Sequence, residues 1–372
     1  MTNEVRDKEL HHLSLVSYKE KPAKNITLVF KDGKETWDIK SLKEFTLHDK
    51  TTGFDAVVYK KEDNVVVAFR GTQGDDLLGE GLQDVATDID YIVRKMDVKK
   101  EVPKEYKQVI KKPYYDNQFT EAEDLVKAVK KKYPHAKVSL TGHSLGGALA
   151  SYAGAIHDVD AVTYSAPSVL EILPEELQKK AKKGEYDQSI VNYIHPKDSI
   201  GAGAFNPYDR HIGSSYYIGS SFEFENAEYQ NKPFSRFYSS IAKDKFHDLN
   251  HYSFDGLGNL SNPTLTNVQT GRELWQSPRY ISSDRTTIRI TPEHLEDVIK
   301  DLMYFLTRVD DICVEATSFI NRLDGIKKSA HTQEEAVLSI QQFRRWFSEE
   351  TSNISINLND ASKAFVKADT LE

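Results

Sequence analysis

The sequence predicts an α/β domain with a central, mostly parallel sheet, followed by an all-α antiparallel helical hairpin. Three observations carry this. Between Val65 and Ile194, apolar segments of strand length alternate with amphipathic helical ones, the order of a sheet built through helical crossovers. Val138 to Ala148 reads as a buried strand, a sharp turn at Ser144 and a helix of small residues. Beyond residue 290, apolar residues recur at spacings of three and four over two long segments.

In chain order, Lys8 to Tyr18 carries Leu10, Leu13, Leu15 and Val16 and predicts a short packing helix. Ile26, Leu28 and Phe30 alternate before the Asp32-Gly33 turn, and Thr36, Trp37 and Ile39 complete a hairpin. Ala56 to Tyr59 and Val65 to Phe69 form a second strand pair. The latter is almost wholly apolar, as a strand buried on both faces would be. A patterned stretch from Leu77 to Ile92 follows, then an amphipathic helix from Thr120 to Tyr133, stopped by Pro134. After the serine turn come a tight helix from Leu145 to Ile156, a strand from Asp160 to Ser165, a polar helix from Pro174 to Lys182 and a strand from Ile190 to Ile194. Tyr216 to Ile218 predicts an outer strand. Phe222 to Phe246 is studded with aromatics without a clear period, and fits either a binding loop or a surface excursion anchored by aromatics.

Gly256 to Arg289, rich in Asn, Ser, Thr, Gly and Pro, holds the domain boundary, giving a first domain over 1–275, a linker over 276–290 and a hairpin over 291–372. Thr291-Pro292-Glu293 opens a helix with a cap, a first-turn proline and an acid. Its expected seam runs through Leu295, Val298, Leu302, Phe305, Val309, Ile312, Ala316, Phe319 and Leu323, and Gly325 ends it. A second helix, from about Gln333 to Ala368, places Val337, Ile340, Phe347, Ile354, Leu358, Ala361, Phe365 and Ala368 in one register, with Arg344 and Thr351 as polar breaks. Such a hairpin exposes apolar surface beyond its own seam, which a partner or the first domain would cover.

Gly142-His143-Ser144-Leu145-Gly146 is the nucleophile-elbow pattern: a serine on a strained strand-to-helix turn, with glycines removing Cβ clashes on either side. The Leu145 N–H then heads a helix, where it can hold an oxyanion. A second donor belongs after an earlier strand, at Gly71-Thr72, where Thr72 offers an N–H and a hydroxyl. A serine nucleophile needs a base, and the base needs an acid. Asp198, in the turn after the strand ending at Ile194, is placed to be the acid. Of the 12 histidines, those beyond it are His211, His247, His251 and His294. His294 opens the hairpin and His211 precedes an outer strand, which leaves the loop carrying both His247 and His251.

Formal net charge is −8, with 49 Lys and Arg interspersed among 57 Asp and Glu, so no basic face for nucleic acid is expected. Cys313 is the one cysteine, so no intrachain disulfide can form. No apolar run reaches membrane-spanning length, and Met1 to Leu10 lacks a signal-peptide core. No metal or cofactor is expected.

These residues resemble the class 3 lipases of the α/β-hydrolase superfamily. The resemblance lies in Phe69-Arg70-Gly71-Thr72 at the oxyanion strand end, Tyr133-Pro134 through Gly142 to Ala150 at the elbow, Thr163 to Pro167, and Asn192 to Asp198 with Ile200 around the acid. Tyr208 and His211-Ile212-Gly213 resemble a structural landmark, which argues against His211 as base. His247-Asp248-Leu249-Asn250 with Tyr252 resembles the histidine loop of phospholipase A1-like members, where the first histidine is catalytic. The resemblance thus points to His247, with His251 the alternative, and implies ester hydrolysis on glycerophospholipids.

The C-terminal hairpin resembles the WXG100 and LXG-like helical modules of type VII secretion substrates. Thr291 to Leu295 resembles a first-helix start, Leu323-Asp324-Gly325 fits L-x-G, and Phe365 with Asp369 resembles the terminal export signal. The targeting module would here come last, the reverse of the usual LXG order. This implies a secreted antibacterial lipase toxin, held before export by small helical WXG100-like partners on the hairpin and neutralised by an immunity protein. The rival expectation is an intracellular lipase or carboxylesterase with a regulatory or dimerising coiled coil; a non-catalytic adaptor is the third.

Overall fold

The computed structural model describes residues 5–19, 23–42, 45–71, 117–203, 206–230, 232–274, 277–278, 292–322 and 330–369. Thr72, the stretch from Leu77 to Ile92, most of the expected linker and the Leu323-Asp324-Gly325 stop lie outside the described residues. The chain divides into two compact units, Met1–Arg285 and Thr286–Glu372.

The sheet of the first unit changes sense at β5 (Asn64–Phe69), whose residues are all buried. It pairs antiparallel with β4 (Phe54–Lys61) and parallel with β6 (Lys137–His143). Outward from β4, β2 (Gly33–Lys40) and β1 (Asn25–Phe30) continue antiparallel, and β3 (His48–Asp49) pairs with β4 off this path. Ile26, Leu28 and Phe30 face inward along β1, as their alternation predicts. On the other side β7 (Asp160–Tyr164), β8 (Ile190–Ile194) and β9 (Ser214–Tyr217) extend the parallel run. The parallel centre therefore spans β5 to β9, and both flanks are antiparallel. Loops that carry chemistry in such sheets leave from the carboxyl ends of the parallel strands.

The antiparallel flank beyond β9 was not legible. β10 (Leu265–Asn267) and β11 (Glu273–Leu274) lie inside the segment expected to be a boundary. They are short, and pairing makes them strands: β10 against β9, and β11 against β10. Ser277, also in that segment, is buried: its hydroxyl donates to Asp7 Oδ2 at 2.5 Å and lies 3.1 Å from Tyr193 Oη.

Each face of the sheet is covered. Val65, Val67 and Phe69 join one cluster, with Phe119, Ala122, Leu125, Val126 and Val129 of α2 (Gln118–Lys132) and Leu149 and Tyr152 of α3 (Leu145–His157). Val66 and Ala68, the alternate residues of the same strand, join the other cluster, with Leu10, Leu13 and Val16 of α1 (Asp7–Val16) and with Trp37, Tyr59 and Tyr164. Helix α2 begins where Asn117 Oδ1 accepts the N–H groups of Phe119 and Thr120 at 3.0 and 3.2 Å. The polar helix α4 (Glu175–Lys182) precedes β8.

The aromatic stretch folds as α5 (Phe222–Glu225), a 3₁₀ turn at Ala227–Tyr229, α6 (Pro233–Tyr238) and a π-helical turn at Ser239–Lys243. Phe237 is buried, whereas Phe224, Phe234 and Tyr238 are exposed.

In the second unit α7 (Pro292–Asn321) pairs with α8 (Ala330–Asp369). The pairs Phe305 with Phe347 and Asp310 with Arg344 run in opposite senses along the two helices, so the hairpin is antiparallel. Its seam keeps Leu295, Leu302, Val309 and Ala316 of the expected one and is shifted by one residue at three other steps. Phe305, Ile312 and Phe319 are 59%, 59% and 62% exposed, while Cys313 is buried and Leu306 and Ile320 are half-buried. Each heptad offers two adjacent apolar residues (Val298-Ile299, Phe305-Leu306, Ile312-Cys313, Phe319-Ile320), so periodicity alone cannot choose between them. Against α8 the less bulky member turns inward at these last three pairs. On α8 Ile354 is likewise 46% exposed, while Thr351, a polar member of the expected register, is buried. Among the described residues no helix is long and apolar enough to cross a membrane.

Helix α1 is seated by one buried carboxylate. Glu9, fully buried, accepts from Trp37 Nε1 and Lys61 Nζ, both at 2.8 Å, and from the Arg6 N–H at 2.9 Å. Removing it strands a buried indole N–H and leaves the Lys61 ammonium with Glu35 alone, 3.0 Å away. Glu9→Ala should lower unfolding free energy in urea by about 3 kcal/mol or more, and Glu9→Gln by clearly less. Equal effects of the two changes would show that the acceptor oxygens do not hold the helix.

Candidate active site

The elbow is dictated by backbone crowding. Ser144 sits between β6 and α3 at φ 58° and ψ −131°, a conformation that costs a non-glycine residue free energy. A Cβ on Gly142 would strike the Gly146 carbonyl, and a Cβ on Gly146 would strike the Phe69 carbonyl of β5. The Ser144 N–H donates to the Tyr164 carbonyl at 3.0 Å, tying the turn to β7. Leu145 is the first residue of α3, and N–H groups of a first helical turn have no intrahelical acceptor. The end of β5 closes in on the same point: a Cβ on Gly71 would lie 3.1 Å from Ser144 Cβ.

Asp198 follows β8 in a turn where its N–H donates to the His195 carbonyl at 2.9 Å. It is fully buried. Its carboxylate accepts from the Ile200 N–H at 2.9 Å, from Ser240 Oγ at 3.2 Å, and from His247 Nδ1 at 3.0 and 3.1 Å. Burial pushes this carboxyl up, but the His247 charge and hydrogen bond, the Ile200 N–H and the Ser165 hydroxyl outweigh it and hold it at about 2.

His247 is buried, and because its Nδ1 faces a carboxylate, that nitrogen carries the proton. Nε2 is therefore the lone-pair nitrogen, and it is buried without a hydrogen-bond partner among the described residues. The backbone of His247 is held on both sides. Its N–H donates to the Ser240 carbonyl at 3.0 Å, and its carbonyl accepts from His143 Nε2 at 2.6 Å. His143 Nδ1 in turn accepts from Tyr18 Oη at 2.9 Å. Burial, then the neighbouring His247, push His143 down to about 3, so it is a neutral linker. Its ring centroid lies 4.6 Å from that of His247.

The other candidates lie elsewhere. His251 donates from Nε2 to the Lys245 carbonyl at 2.8 Å, and its ring packs on His195 and Phe246. His211 is buried against Asn192 and the edge of Tyr208, and burial alone takes it down to about 3. His294, Phe365 and Asp369 belong to the hairpin helices of the second unit. Thus the structure brings together Asp198 and His247, beside the elbow through His143. Among the described residues no group of three His, Cys, Asp or Glu gathers as a metal site.

Several polar residues here were not anticipated. Tyr18, His143 and Tyr252 stood inside or beside the recognisable motifs but carried no spacing signal of their own. Tyr252 Oη lies 2.9 Å from Ser165 Oγ and donates to the Tyr193 carbonyl at 2.9 Å. Ser240 and Arg236 came from the aromatic stretch. Arg236, 3% exposed, donates to the carbonyls of Gly203 and Asp198 at 2.9 and 3.1 Å, over the Phe222 ring.

Residues 18–198 match a family described as the Tle-like phospholipase domain. The chain is 37% identical over 93 residues to a putative lipase, ATG15, of Vanderwaltozyma polyspora, covering 24% of this chain and 16% of that protein. The Candida glabrata counterpart is 38% identical over 94 residues, covering 24% and 18%. The chain thus spans less than a fifth of the length of either curated relative. Among solved structures, Lip2 lipase of Yarrowia lipolytica is similar with a TM-score of 0.33 and 16% identity, over 57% of this chain and 78% of that one. A triacylglycerol lipase of Penicillium expansum gives 0.32 and 21%, over 57% and 79%. Over residues 18–198 the first unit is thus similar to a phospholipase family, and its fold is α/β.

The buried imidazoles make stability depend on pH. His143 and His211 stay neutral in the fold down to about pH 3, whereas in the unfolded chain they take up protons near 6.5. The unfolded state therefore binds more protons between those values, and stability falls as pH falls through the window. Each contributes about 1.4 kcal/mol per pH unit below its unfolded pKa. Asp198 adds to the loss only below its ordinary value of 3.8. Urea unfolding at pH 7, 6 and 5 should show the decline, and a flat profile would mean that these rings are not kept neutral.

Proposed function

We propose that the chain is a serine-dependent carboxylic ester hydrolase of the phospholipase A type, releasing fatty acids from glycerophospholipids. The observation that carries this reading is the buried Asp198–His247 pair, 3.0 Å apart, whose Nε2 has no hydrogen-bond partner among the described residues and whose His247 is bonded to His143, the residue before the strained Ser144. In this reading Ser144 Oγ attacks the ester carbonyl carbon and passes its proton to His247 Nε2. Asp198 keeps the imidazole in the right tautomer and stabilises the imidazolium. The oxyanion is held by the Leu145 N–H and by Thr72, each donor contributing about 3 kcal/mol in the transition state. His247 then protonates the departing lysolipid oxygen, leaving an acyl-Ser144. Water, deprotonated by His247, attacks the acyl carbon and releases the fatty acid.

Support for a phospholipid substrate comes from the phospholipase description of the matching family and from the exposed aromatics Phe224, Phe234 and Tyr238, which border the acid's support and can meet acyl chains. Ser144→Ala should cut hydrolysis of a fluorogenic ester and of phosphatidylcholine vesicles by at least about 1000-fold while the fold survives. His247→Ala should do the same, and His251→Ala should not. Turnover retained in Ser144→Ala would overturn the assignment, and the reverse histidine result would move the base to His251.

We further propose that the hairpin makes this hydrolase a type VII-secreted antibacterial toxin, carried to export by small helical WXG100-like partners and countered by an immunity protein. Phe365 and Asp369 are the candidate export signal in this reading. The stripe Phe305, Ile312 and Phe319, exposed at heptad spacing on α7, is a surface that partner helices would cover. The 372-residue chain co-expressed with a small helical WXG100-like protein should form a stable complex, lost when the three stripe residues become serine. A partner-free, monodisperse chain that is exported normally would count against it, and self-association through the stripe would favour the intracellular, dimerising alternative.

A further inference from the structure

The segment between β9 and the histidine loop reaches back into the site at one residue. Ser240 is fully buried in the π-helical turn Ser239–Lys243. Such turns are rare and gather at functional sites. Two of its groups serve three partners. Its hydroxyl oxygen accepts the Ser199 N–H at 3.0 Å and donates to Asp198 Oδ1 at 3.2 Å. Its carbonyl accepts the His247 N–H at 3.0 Å. One residue thus touches the acid's carboxylate, the backbone next to the acid, and the backbone of the imidazole-bearing residue.

The surroundings make this a fixed post. One turn earlier, the buried Arg236 guanidinium grips the Asp198 and Gly203 carbonyls. After the π turn, the N–H groups of Asp244 and Lys245 both return to the Ser239 carbonyl, at 2.9 and 3.0 Å. Lys245 takes φ 54° as the chain reverses towards His247. The path from Ser240 to His247 is therefore a short closed turn, and a shift of one end moves the other.

We propose that Ser240 is a positioning residue for the Asp198–His247 pair: its hydroxyl sets the plane of the carboxylate and its carbonyl sets the height of the imidazole. This rests on the serine-hydrolase reading above. A carboxylate with a donor on Oδ1 has fewer orientations open to it, and both its oxygens stay within 3.1 Å of Nδ1. The donor also favours the charged form of the acid. The other titratable or charged groups facing the pair are Arg236 from α6, His143 from the elbow, His195 from the acid's own turn, and Tyr252 beyond the histidine loop. A change at Ser240 alters none of them chemically.

The test is Ser240→Ala, which deletes the hydroxyl and keeps the carbonyl, with Ser239→Ala as an equally buried neighbour. Two readouts are taken across pH: kcat and KM on a soluble ester, and the rate at which a fluorophosphonate probe labels the protein, fluoride leaving as the phosphonyl group bonds to Ser144 Oγ. Ser240→Ala should lower kcat and labelling by about 10- to 100-fold with KM little changed. The acidic limb of both profiles should move to higher pH by about half a unit to one unit, because a carboxylate that has lost a donor holds a proton on the pair more tightly. Ser239→Ala should leave both profiles in place. If the alanine variant does not fold, Ser240→Cys, of similar size and a weaker donor, should shift both readouts in the same direction. Wild-type rates and limbs in Ser240→Ala, or the same shift in Ser239→Ala, would overturn the inference. Labelling that persists in Ser144→Ala would instead sink the serine reading itself.

Discussion

The first unit depends on how closely β5, β6 and α3 approach one another. Their backbones meet at Gly146 against the Phe69 carbonyl and at Gly142 against the Gly146 carbonyl, leaving no room for a Cβ at either place. This crowding turns the chain sharply enough to hold Ser144 at positive φ. It also requires strands that can be buried on both faces, which the Val65 to Phe69 run and the small residues of α3 supply. A looser junction would relax the turn and carry Ser144 away from Gly71 and the histidine loop.

Around that junction, buried polar groups are matched rather than avoided. Asp198 lies out of reach of water, where a lone carboxylate would be protonated or would destabilise the fold. Its donors come from its own turn, from the π turn and from the histidine loop, so a stretch 42 to 49 residues further along the chain folds back onto one side chain. Tyr18 and His143 form a second, neutral chain that runs from α1's end to the His247 carbonyl. The aromatic segment, which has the composition of a surface excursion, contributes buried Arg236 and Ser240 on its inner side and exposed Phe224, Phe234 and Tyr238 on its outer side.

The hairpin obeys a different constraint. Two helices can bury one seam, yet α7 carries adjacent apolar residues at each heptad step. One of each adjacent pair must be left outside, and along Phe305, Ile312 and Phe319 it is the bulkier one. A stripe of that width is more than a two-helix unit can use for itself.

Much of this was legible in the chain alone. The elbow, the doubly buried strand, the order of strands and helices, the acid's turn and the two long helices are all written in windows of a dozen residues or so, where local sterics and periodicity act. Three features were not. The spacing of residues left both His247 and His251 open, the family resemblance pointed to His247, and the path of the loop is what brings His247 to Asp198. β10 depended on pairing with β9 about fifty residues earlier, and β11 on pairing with β10. The α7 seam depended on α8, because the adjacent apolar residues satisfy the heptad equally. The residues themselves thus determined the strained serine turn and the class of fold around it. Only the tertiary structure decided which side chains complete the site, because contacts between segments far apart in sequence are set by packing and by the need to pair every buried polar group.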